Sequence, residues 1–136
     1  SASPTVEDAF AILKNLEREG ESGTATLWSY VIDLKEERIY WHTKGVQERK
    51  TFDLRAFDFS CATPAMLIDI NIQLGGDMDT YFQAYSPELN RSITQAGMDW
   101  MDGVDELVRA QGGTLENAIN TIAYFPETTN CTSEQG

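Results

Sequence analysis

The stretch TLWSYVIDLKEERIYWHT, which runs from Thr26 to Thr43, constrains the fold of this chain more than any other part of the sequence. Two runs rich in β-branched and aromatic residues, LWSYVI and RIYW, flank the polar segment DLKEE. Residues of these types favour strands, and a short polar segment between two such runs is typical of a hairpin loop. The sequence therefore predicts a β-hairpin whose loop has about four or five residues.

Both faces of this predicted hairpin are largely apolar. Because successive side chains of a strand point to opposite faces, Trp28, Tyr30 and Ile32 share one face of the first arm, and Val31 lies on the other. A hairpin with one face in water would alternate more cleanly between apolar and polar residues. We therefore expect a sheet covered on both faces, by helices on one side and an apolar layer on the other, with Trp28 and Trp41 in the core.

A helix is predicted upstream of the hairpin. Thr5 and Asp8 have the spacing of a capping box, in which each side chain accepts a hydrogen bond from the backbone of the other residue. Apolar residues follow at steps of three and four from Val6 to Leu16, and Gly20 supplies a stop signal. The pattern predicts a helix of about four turns with one apolar stripe.

The segment after the hairpin is predicted to add a third strand. Lys44-Gly45 has the composition of a turn, and Gln47 to Leu54 then completes an antiparallel meander of three strands. Ala65 to Asn71 is a short apolar run, and periodicity allows either a strand or a buried turn of helix there. Asp77 is expected to cap a short helix that carries four large side chains between Met78 and Tyr85.

Two further helices are predicted in the carboxy-terminal part of the chain. Ser86-Pro87 has the pattern of an N-cap followed by a first helical residue, and helical spacing continues to Gly112-Gly113. Gly97 and Gly103 lie inside this helix, so a kink or a break is expected near one of them. A last helix is predicted from Leu115 to about Tyr124.

These elements together predict an α+β fold. The length of 136 residues and the 41% share of hydrophobic residues suit one domain with its own core, which we expect to span residues 1–136. The polar residues 127–136 are expected to form a flexible tail.

The chain is strongly acidic, with a formal net charge of -12 and a pI near 4.3. Nucleic acids and anionic membranes would repel it, so we expect neither as a partner. No apolar run reaches the roughly 18 residues of a membrane span. The first residues lack the pattern of a signal peptide, which leaves a chain that is not exported or one whose leader was removed. Two cysteines do not make a disulfide framework, and a single histidine disfavours histidine-based catalysis.

Four residues are candidate reactive groups. Ser1 could be an amino-terminal nucleophile, but Ser-Ala-Ser-Pro favours a linker. Cys61 lies in a loosely patterned segment without a nearby histidine, so we expect a buried, inert thiol, and Cys131 lies in the polar tail. His42 is expected to be a surface or interface residue, because no second His or Cys lies at metal-binding spacing.

Acidic residues and two N-glycosylation patterns are the remaining candidate sites. The spacing D-x-D-x-D-G of a calcium loop is not met, and a solvated helix face is favoured over a metal site. The acidic residues concerned are Asp77, Asp79, Asp99, Asp102, Asp105 and Glu106. Asn90-Arg91-Ser92 and Asn130-Cys131-Thr132 match the N-glycosylation pattern, which is short enough to occur by chance. The sequence thus predicts no catalytic, cofactor-binding or metal-binding residue in this chain.

Several segments, in their order and spacing, resemble one enzyme family. They are the capped helix TVEDAFAIL, the strand TLWSYVID, the return strand RIYWHT and the strand RKTFDL, followed by DFS, TPAMLIDIN and the pattern F-x-x-Y-S-x-E-x-N. Over the range from Thr5 to Asn90, this order resembles the carboxy-terminal half of the choloylglycine hydrolase and penicillin V acylase-like enzymes, the linear amide C–N hydrolases.

The resemblance implies an N-terminal nucleophile hydrolase with two stacked antiparallel sheets between helical layers. In that family an amino-terminal Cys attacks a linear amide, and Asp, Asn and Arg side chains stabilise the oxyanion. None of these residues has a counterpart here, because the chain starts at Ser1 and the matching positions would lie upstream. We therefore expect a chain that is inactive alone, whose partners are the upstream half of the same enzyme and a small-molecule amide, with a homo-oligomer as a further possibility. The alternative is a non-catalytic acidic α+β domain that binds a partner.

Overall fold

The hairpin lies at one edge of the sheet in the computed structural model, which describes residues 2–19 and 25–129. The strands are β1 (Trp28–Asp33), β2 (Arg38–Thr43), β3 (Lys50–Asp53), β4 (Met66–Leu67), β5 (Gly76–Asp77) and β6 (Gln83–Ala84). The α-helices are α1 (Val6–Leu16), α2 (Pro87–Asp99), α3 (Val104–Ala110) and α4 (Leu115–Tyr124), and 3₁₀ turns occupy Leu54–Ala56, Asp79–Tyr81 and Phe125–Thr128. The described part of the chain is therefore α+β, as predicted.

The hairpin confirms the strongest sequence prediction. Strands β1 and β2 pair antiparallel along their whole length. Their loop occupies residues 34–37, within the predicted range of lengths. The Asp33 carboxylate stabilises the loop, because it accepts hydrogen bonds from the backbone N–H groups of Lys35 and Glu36, both at 3.0 Å.

The third strand completes the predicted antiparallel meander, but it is shorter than predicted. The chain first makes a tight turn, in which the Thr43 side chain accepts a hydrogen bond from the Val46 N–H at 3.0 Å. Pairing with β2 begins only at Lys50, opposite Trp41. A fourth strand, β5, pairs parallel with β3 and has no counterpart among the predictions. The local feature that favours β5 is Gly76, whose φ of 84° lies in the left-handed region that glycine adopts readily.

Helix α1 has the predicted capping box. The Thr5 hydroxyl accepts a hydrogen bond from the Asp8 N–H at 3.2 Å, and the Asp8 carboxylate accepts one from the Thr5 N–H at 2.8 Å. The helix ends at Leu16, after about three turns rather than four. It ends early because Arg18 pairs with Thr26 through both backbone groups, the Arg18 N–H donating to the Thr26 hydroxyl and the Thr26 N–H to the Arg18 carbonyl, each at 3.0 Å.

The two faces of the four-stranded sheet are covered by different parts of the chain. On one face, α1 packs over β1 and β2, with the Phe10 ring 5.5 Å from the His42 ring. On the other face, Trp41 is buried, and its indole N–H donates to the Ile70 carbonyl at 3.1 Å. Phe52, Phe57 and Phe82 form an aromatic cluster beside Trp41, with ring centroids 4.7 to 5.9 Å apart.

The aromatic cluster does not extend over β1. Trp28, Tyr30 and Ile32, which share the face of Trp41, are 51%, 57% and 45% exposed. The expectation of a sheet covered on both faces is therefore wrong for β1, and Trp28 does not lie in the core. The reason is the strand order, because Phe52 belongs to β3 and β2 lies between β3 and β1.

The middle of the chain differs most from the predictions. Asp77 lies in β5 and does not cap a helix, and the predicted helix up to Tyr85 is only the short 3₁₀ turn described above. The residues that follow form β6, which pairs antiparallel with β4. This pairing decides the alternative left open for Ala65 to Asn71, where a strand of two residues is present.

The three carboxy-terminal helices agree closely with the predictions. Ser86 and Thr114 cap α2 and α4 by accepting hydrogen bonds from the backbone N–H groups of Leu89 and Asn117. The long helix predicted up to Gly112 is broken near Gly103, as anticipated, and Gly103 has a left-handed φ of 76°. In α4, Ile119 and Ala123 are buried, and α2 packs against this helix.

The described residues divide into two compact units. The first contains α1 and the four-stranded sheet, in residues 2–19, 25–58 and 70–82. The second contains the β4–β6 pair and helices α2 to α4, in residues 59–69 and 83–129. A single domain over residues 1–136 stays a prediction. Of the predicted tail, 127–128 belong to the last 3₁₀ turn and 130–136 lie outside the described residues.

The difference in burial between two tryptophans on one face of the sheet gives a first prediction. Trp41→Ala should lower the free energy of unfolding by about 3 to 5 kcal/mol, because it empties a packed site and removes the hydrogen bond to Ile70. Trp28→Ala should cost about 1 kcal/mol or less, because half of its side chain is already in water. Urea unfolding of both variants measures the difference, and equal losses would contradict this packing.

Candidate functional site

A cleft of about 410 Å³ runs along α1 where the helix meets the sheet. Helix α1 supplies one wall, and β2 with the approach to β3 supplies the other. The lining residues are Glu7, Phe10, Ala11, Lys14, Glu17, His42, Gln47 and Arg49. This cleft brings the chain's only histidine together with carboxylates and a guanidinium, so it is the first place to look for chemistry.

The Glu17 carboxylate lies between two side chains of the sheet. Its Oε1 accepts a hydrogen bond from the Ser29 hydroxyl at 3.3 Å and lies 3.6 Å from Nε2 of His42. Ser29 and His42 are directly opposite each other in the β1–β2 register. His42 is mostly covered, and its Nδ1 is buried without a hydrogen-bond partner among the described residues. Of the two expected positions, surface or interface, His42 takes the second, because α1 packs over it.

Arg49 closes one end of the same cleft. Its guanidinium lies 4.2 Å from the centre of the Phe10 ring and donates to the Glu7 carboxylate at 2.8 Å. Contacts of both kinds hold the planar guanidinium in one orientation. Arg49 thus links the first turns of α1 to the segment that leads into β3.

The order of groups in the cleft limits what it can do chemically. In the catalytic triad of serine hydrolases, a histidine accepts the serine proton and a carboxylate orients the histidine. Here the carboxylate of Glu17 lies between Ser29 and His42, and Ser29 is itself buried. The order therefore differs from that of a serine–histidine–carboxylate triad, and the shared carboxylate links α1 to both strands of the hairpin.

A second charged cluster lies at the other end of β2. Arg38 bridges Asp53 at 3.5 Å and Asp77 at 3.0 Å, and Arg55 donates to both oxygens of Asp53. The hydrogen bonds from the Arg55 side chain, and then its backbone N–H, lower the pKa of Asp53 to about 2. The pKa of Asp77 is lowered chiefly by the backbone N–H of Asp79 and then by Arg38.

This cluster corrects part of the expectation of a solvated acidic helix face. Asp77 and Asp79 are not helix-surface residues, because Asp77 pairs with Arg38 and Asp79 accepts a hydrogen bond from the Asp53 N–H at 2.9 Å. Asp105 and Glu106 do lie in the first turn of α3. Within residues 2–19 and 25–129, no group of three or more His, Cys, Asp or Glu side chains is arranged to hold a metal ion.

The lowered pKa of Asp53 gives a prediction about pH. The pKa of Asp53 is lower in the folded protein than its ordinary value of 3.8, so ionisation of this carboxylate stabilises the folded state. This stabilisation is fully present above about pH 4 and is lost as the pH falls through about 2. Urea unfolding between pH 7 and pH 2 should show that Asp53→Asn destabilises the protein at neutral pH and progressively less in acid. Asp102→Asn, in the exposed turn before α3, is the control. A constant difference between wild type and Asp53→Asn would contradict the assignment.

Cys61 is exposed and disulfide-bonded, so the expectation of a buried, inert thiol is wrong. The chain's other cysteine, Cys131, lies outside the described residues. The segment around Cys61 has little regular structure, and a covalent link can hold such a segment where packing does not.

The disulfide gives a third prediction. Thiol titration of the denatured, unreduced protein should find no free Cys61, and reduction should lower the free energy of unfolding by about 2 to 4 kcal/mol. The same reductant should leave the stability of Cys61→Ser unchanged. A reactive thiol at Cys61 in the unreduced protein would contradict the assignment.

Three of the other candidate residues lie outside the described residues, namely Ser1, Asn130 and Cys131. Asn90 lies in α2, where its side-chain amide donates to the Ala123 carbonyl at 2.8 Å. Sequence reasoning missed Lys50, which is fully buried on the face of Trp41 and donates to the Glu48 carbonyl at 3.2 Å. A single Lys at the start of a strand carries no signal that it will be buried.

The chain was compared with known proteins by sequence and by structure. No family model matches it, and no match was found among curated proteins or among solved structures. None of the helices in the described ranges has the length and apolar character needed to cross a membrane.

Proposed function

We propose that this chain is the carboxy-terminal portion of a hydrolase that cleaves linear amides and is related to the choloylglycine hydrolases and penicillin V acylases. In this proposal the nucleophile is an amino-terminal Cys outside the chain, as the motif order from Thr5 to Asn90 suggests. The four-stranded sheet would be part of an αββα sandwich, with α1 in one of the helical layers.

One observation carries the proposal, namely the unequal cover of the sheet. Helix α1 covers one face, whereas Trp28, Tyr30 and Ile32 are exposed on the other. Soluble proteins rarely leave adjoining large apolar side chains of one sheet in water. A second sheet stacked about 10 Å away would cover them and would complete the sandwich.

The reacting groups and the elements that support them would lie in different parts of such an enzyme. Cleavage of an amide needs a nucleophile, a base and donors for the oxyanion. Of the candidate groups described above, Ser29 is buried under α1 and Cys61 is disulfide-bonded, so neither hydroxyl nor sulfur is open to an amide substrate. In the proposal this chain therefore supplies sheet and helix that support the site, and the upstream part supplies the reacting groups.

A second function, a non-catalytic binding domain, is favoured by the exposure of three large apolar side chains on β1, namely Trp28, Tyr30 and Ile32. In that case the exposed face of β1 would serve to bind another protein rather than the other half of an enzyme. The two functions differ in whether amide hydrolysis accompanies the complete gene product.

The test uses the complete product of the reading frame that encodes this chain. The purified protein should release amine from at least one of four substrate types: a bile-salt conjugate, penicillin V, an N-acyl homoserine lactone or an N-acyl ethanolamine. Mass spectrometry should find a free amino-terminal Cys. Replacement of that Cys by Ser should lower kcat by at least about 10³-fold, because the covalent step is lost.

The 136-residue chain alone is the matched control and should be inactive on all four substrates. Hydrolysis by this chain alone would overturn the proposal. A complete product that lacks an exposed Cys, or that releases no amine, would favour the binding domain instead.

A further inference from the structure

The turn between α2 and α3 contains the chain's only Asp-Gly pair, Asp102-Gly103, and the sequence has no Asn-Gly pair. The Met101 carbonyl accepts a hydrogen bond from the Val104 N–H at 3.4 Å, which closes the turn. Gly103 has a φ of 76° and a ψ of 5°, which are the angles of the third residue of a type II turn, where glycine is favoured. Asp102 and Gly103 are both exposed. The pair therefore lies in a solvated turn between two helices.

Neither reacting group of this pair is held by another contact. The Gly103 N–H donates to no described residue, and the Asp102 carboxylate makes no hydrogen bond or ion pair within the described part of the chain. Glycine has no Cβ, so no side chain of its own shields the Gly103 nitrogen. The carboxyl group and the backbone nitrogen that follows it are therefore free to approach each other.

The aspartates on either side of this turn differ from Asp102 in both respects. The Asp99 carboxylate accepts a hydrogen bond from the Gln95 side-chain amide at 2.7 Å, and the Asp105 carboxylate pairs with Arg109 at 2.7 Å. Each of them is also followed by a residue with a large side chain. They are therefore internal references for the reactivity of Asp102.

We propose that Asp102 converts spontaneously to isoaspartate by reaction with the backbone of Gly103. The Gly103 nitrogen attacks Cγ of Asp102, and a new N–Cγ bond forms. The nitrogen loses its proton and the protonated carboxyl group loses its hydroxyl, and these leave together as water, so that a succinimide ring remains. Water then adds to the backbone carbonyl carbon of Asp102 and breaks the bond from this carbon to the Gly103 nitrogen. One water is lost and one is regained, so no oxidant or other reactant is needed.

The conversion changes the main chain at the point where α3 begins. The chain of an isoaspartate runs through Cβ and Cγ, which adds one carbon atom to the backbone path and frees the α-carboxyl group. The hydrogen bond between Met101 and Val104 spans this point, so the turn cannot keep its present geometry. Helix α3 has only seven residues and packs against α4, and helices this short depend on tertiary packing. We therefore expect α3 to open more readily after the conversion.

This site is independent of the proposed hydrolase function. It lies in the second unit and uses none of the groups of the cleft beside α1 or of the exposed face of β1. Each of the two proposals can therefore fail without the other.

The first experiment uses the complete product of the reading frame that encodes this chain, aged at neutral pH and physiological temperature and then digested. Fragmentation mass spectrometry should find isoaspartate at residue 102 that increases with time, and a transient species lighter by one water. Asp99 and Asp105 should stay unchanged. An isoaspartyl carboxyl methyltransferase, which moves a methyl group from S-adenosylmethionine to the freed carboxylate, should label this fragment in aged protein and not in fresh protein.

Two variants and a peptide are the controls. Asp102→Glu keeps the charge but would need a larger ring, so its fragment should gain no methyl label on ageing. Asp102→Asn should convert faster than wild type, because ammonia leaves in place of water. A synthetic peptide of residues 98–106 should convert and shows that the chemistry proceeds without the fold.

The second experiment measures hydrogen exchange before and after ageing. The backbone amides of α3 should exchange faster in the converted wild type than in the fresh protein, because the turn before the helix is altered. Aged Asp102→Glu should exchange as the fresh variant does, which separates the conversion from other effects of ageing.

The proposal would be overturned by any of three results. The first is a peptide that converts while residue 102 of the folded protein stays aspartate. The second is isoaspartate at Asp99 or Asp105 to the same extent as at Asp102. The third is exchange in α3 that is unchanged by the conversion, or that rises equally in aged Asp102→Glu.

Discussion

The antiparallel register between β1 and β2 decides how the rest of the first unit is built. Because side chains alternate between faces, this register places Ser29 and His42 under α1, and Trp41 under the aromatic cluster. A slip of one residue would exchange the two faces and move Trp41 towards the helix. The hairpin loop fixes the register, since the Asp33 carboxylate holds the turn that joins the strands.

The end of α1 depends on that register in turn. The first stop signal in the sequence is Gly20, but the helix ends at Leu16 because Arg18 pairs with Thr26, just before β1. Glu17 adopts an extended backbone at this point, and its carboxylate reaches Ser29 and His42. The polar contact between helix and sheet is thus a consequence of where the helix ends.

The sequence predicted best those elements that depend on neighbours in the chain. The capping box at Thr5, the hairpin, and the helix Leu115–Tyr124 all follow from local patterns, and all are present. It could not predict β5, because its two residues are held by hydrogen bonds to the distant strand β3. Burial was predicted least well because it also depends on residues that are distant in the sequence. Trp28 and Trp41 have similar local sequences, and only the position of the aromatic cluster makes one exposed and the other buried.

The candidate site was even less accessible from the sequence, since a lone histidine carries no indication of what will lie beside it. The exposed edge of β1 follows from the pattern of residues 28–32 together with its place at the end of the strand order. Whether an apolar side chain of β1 is buried is decided by the reach of the aromatic cluster beside β3, which no pattern within residues 28–32 encodes.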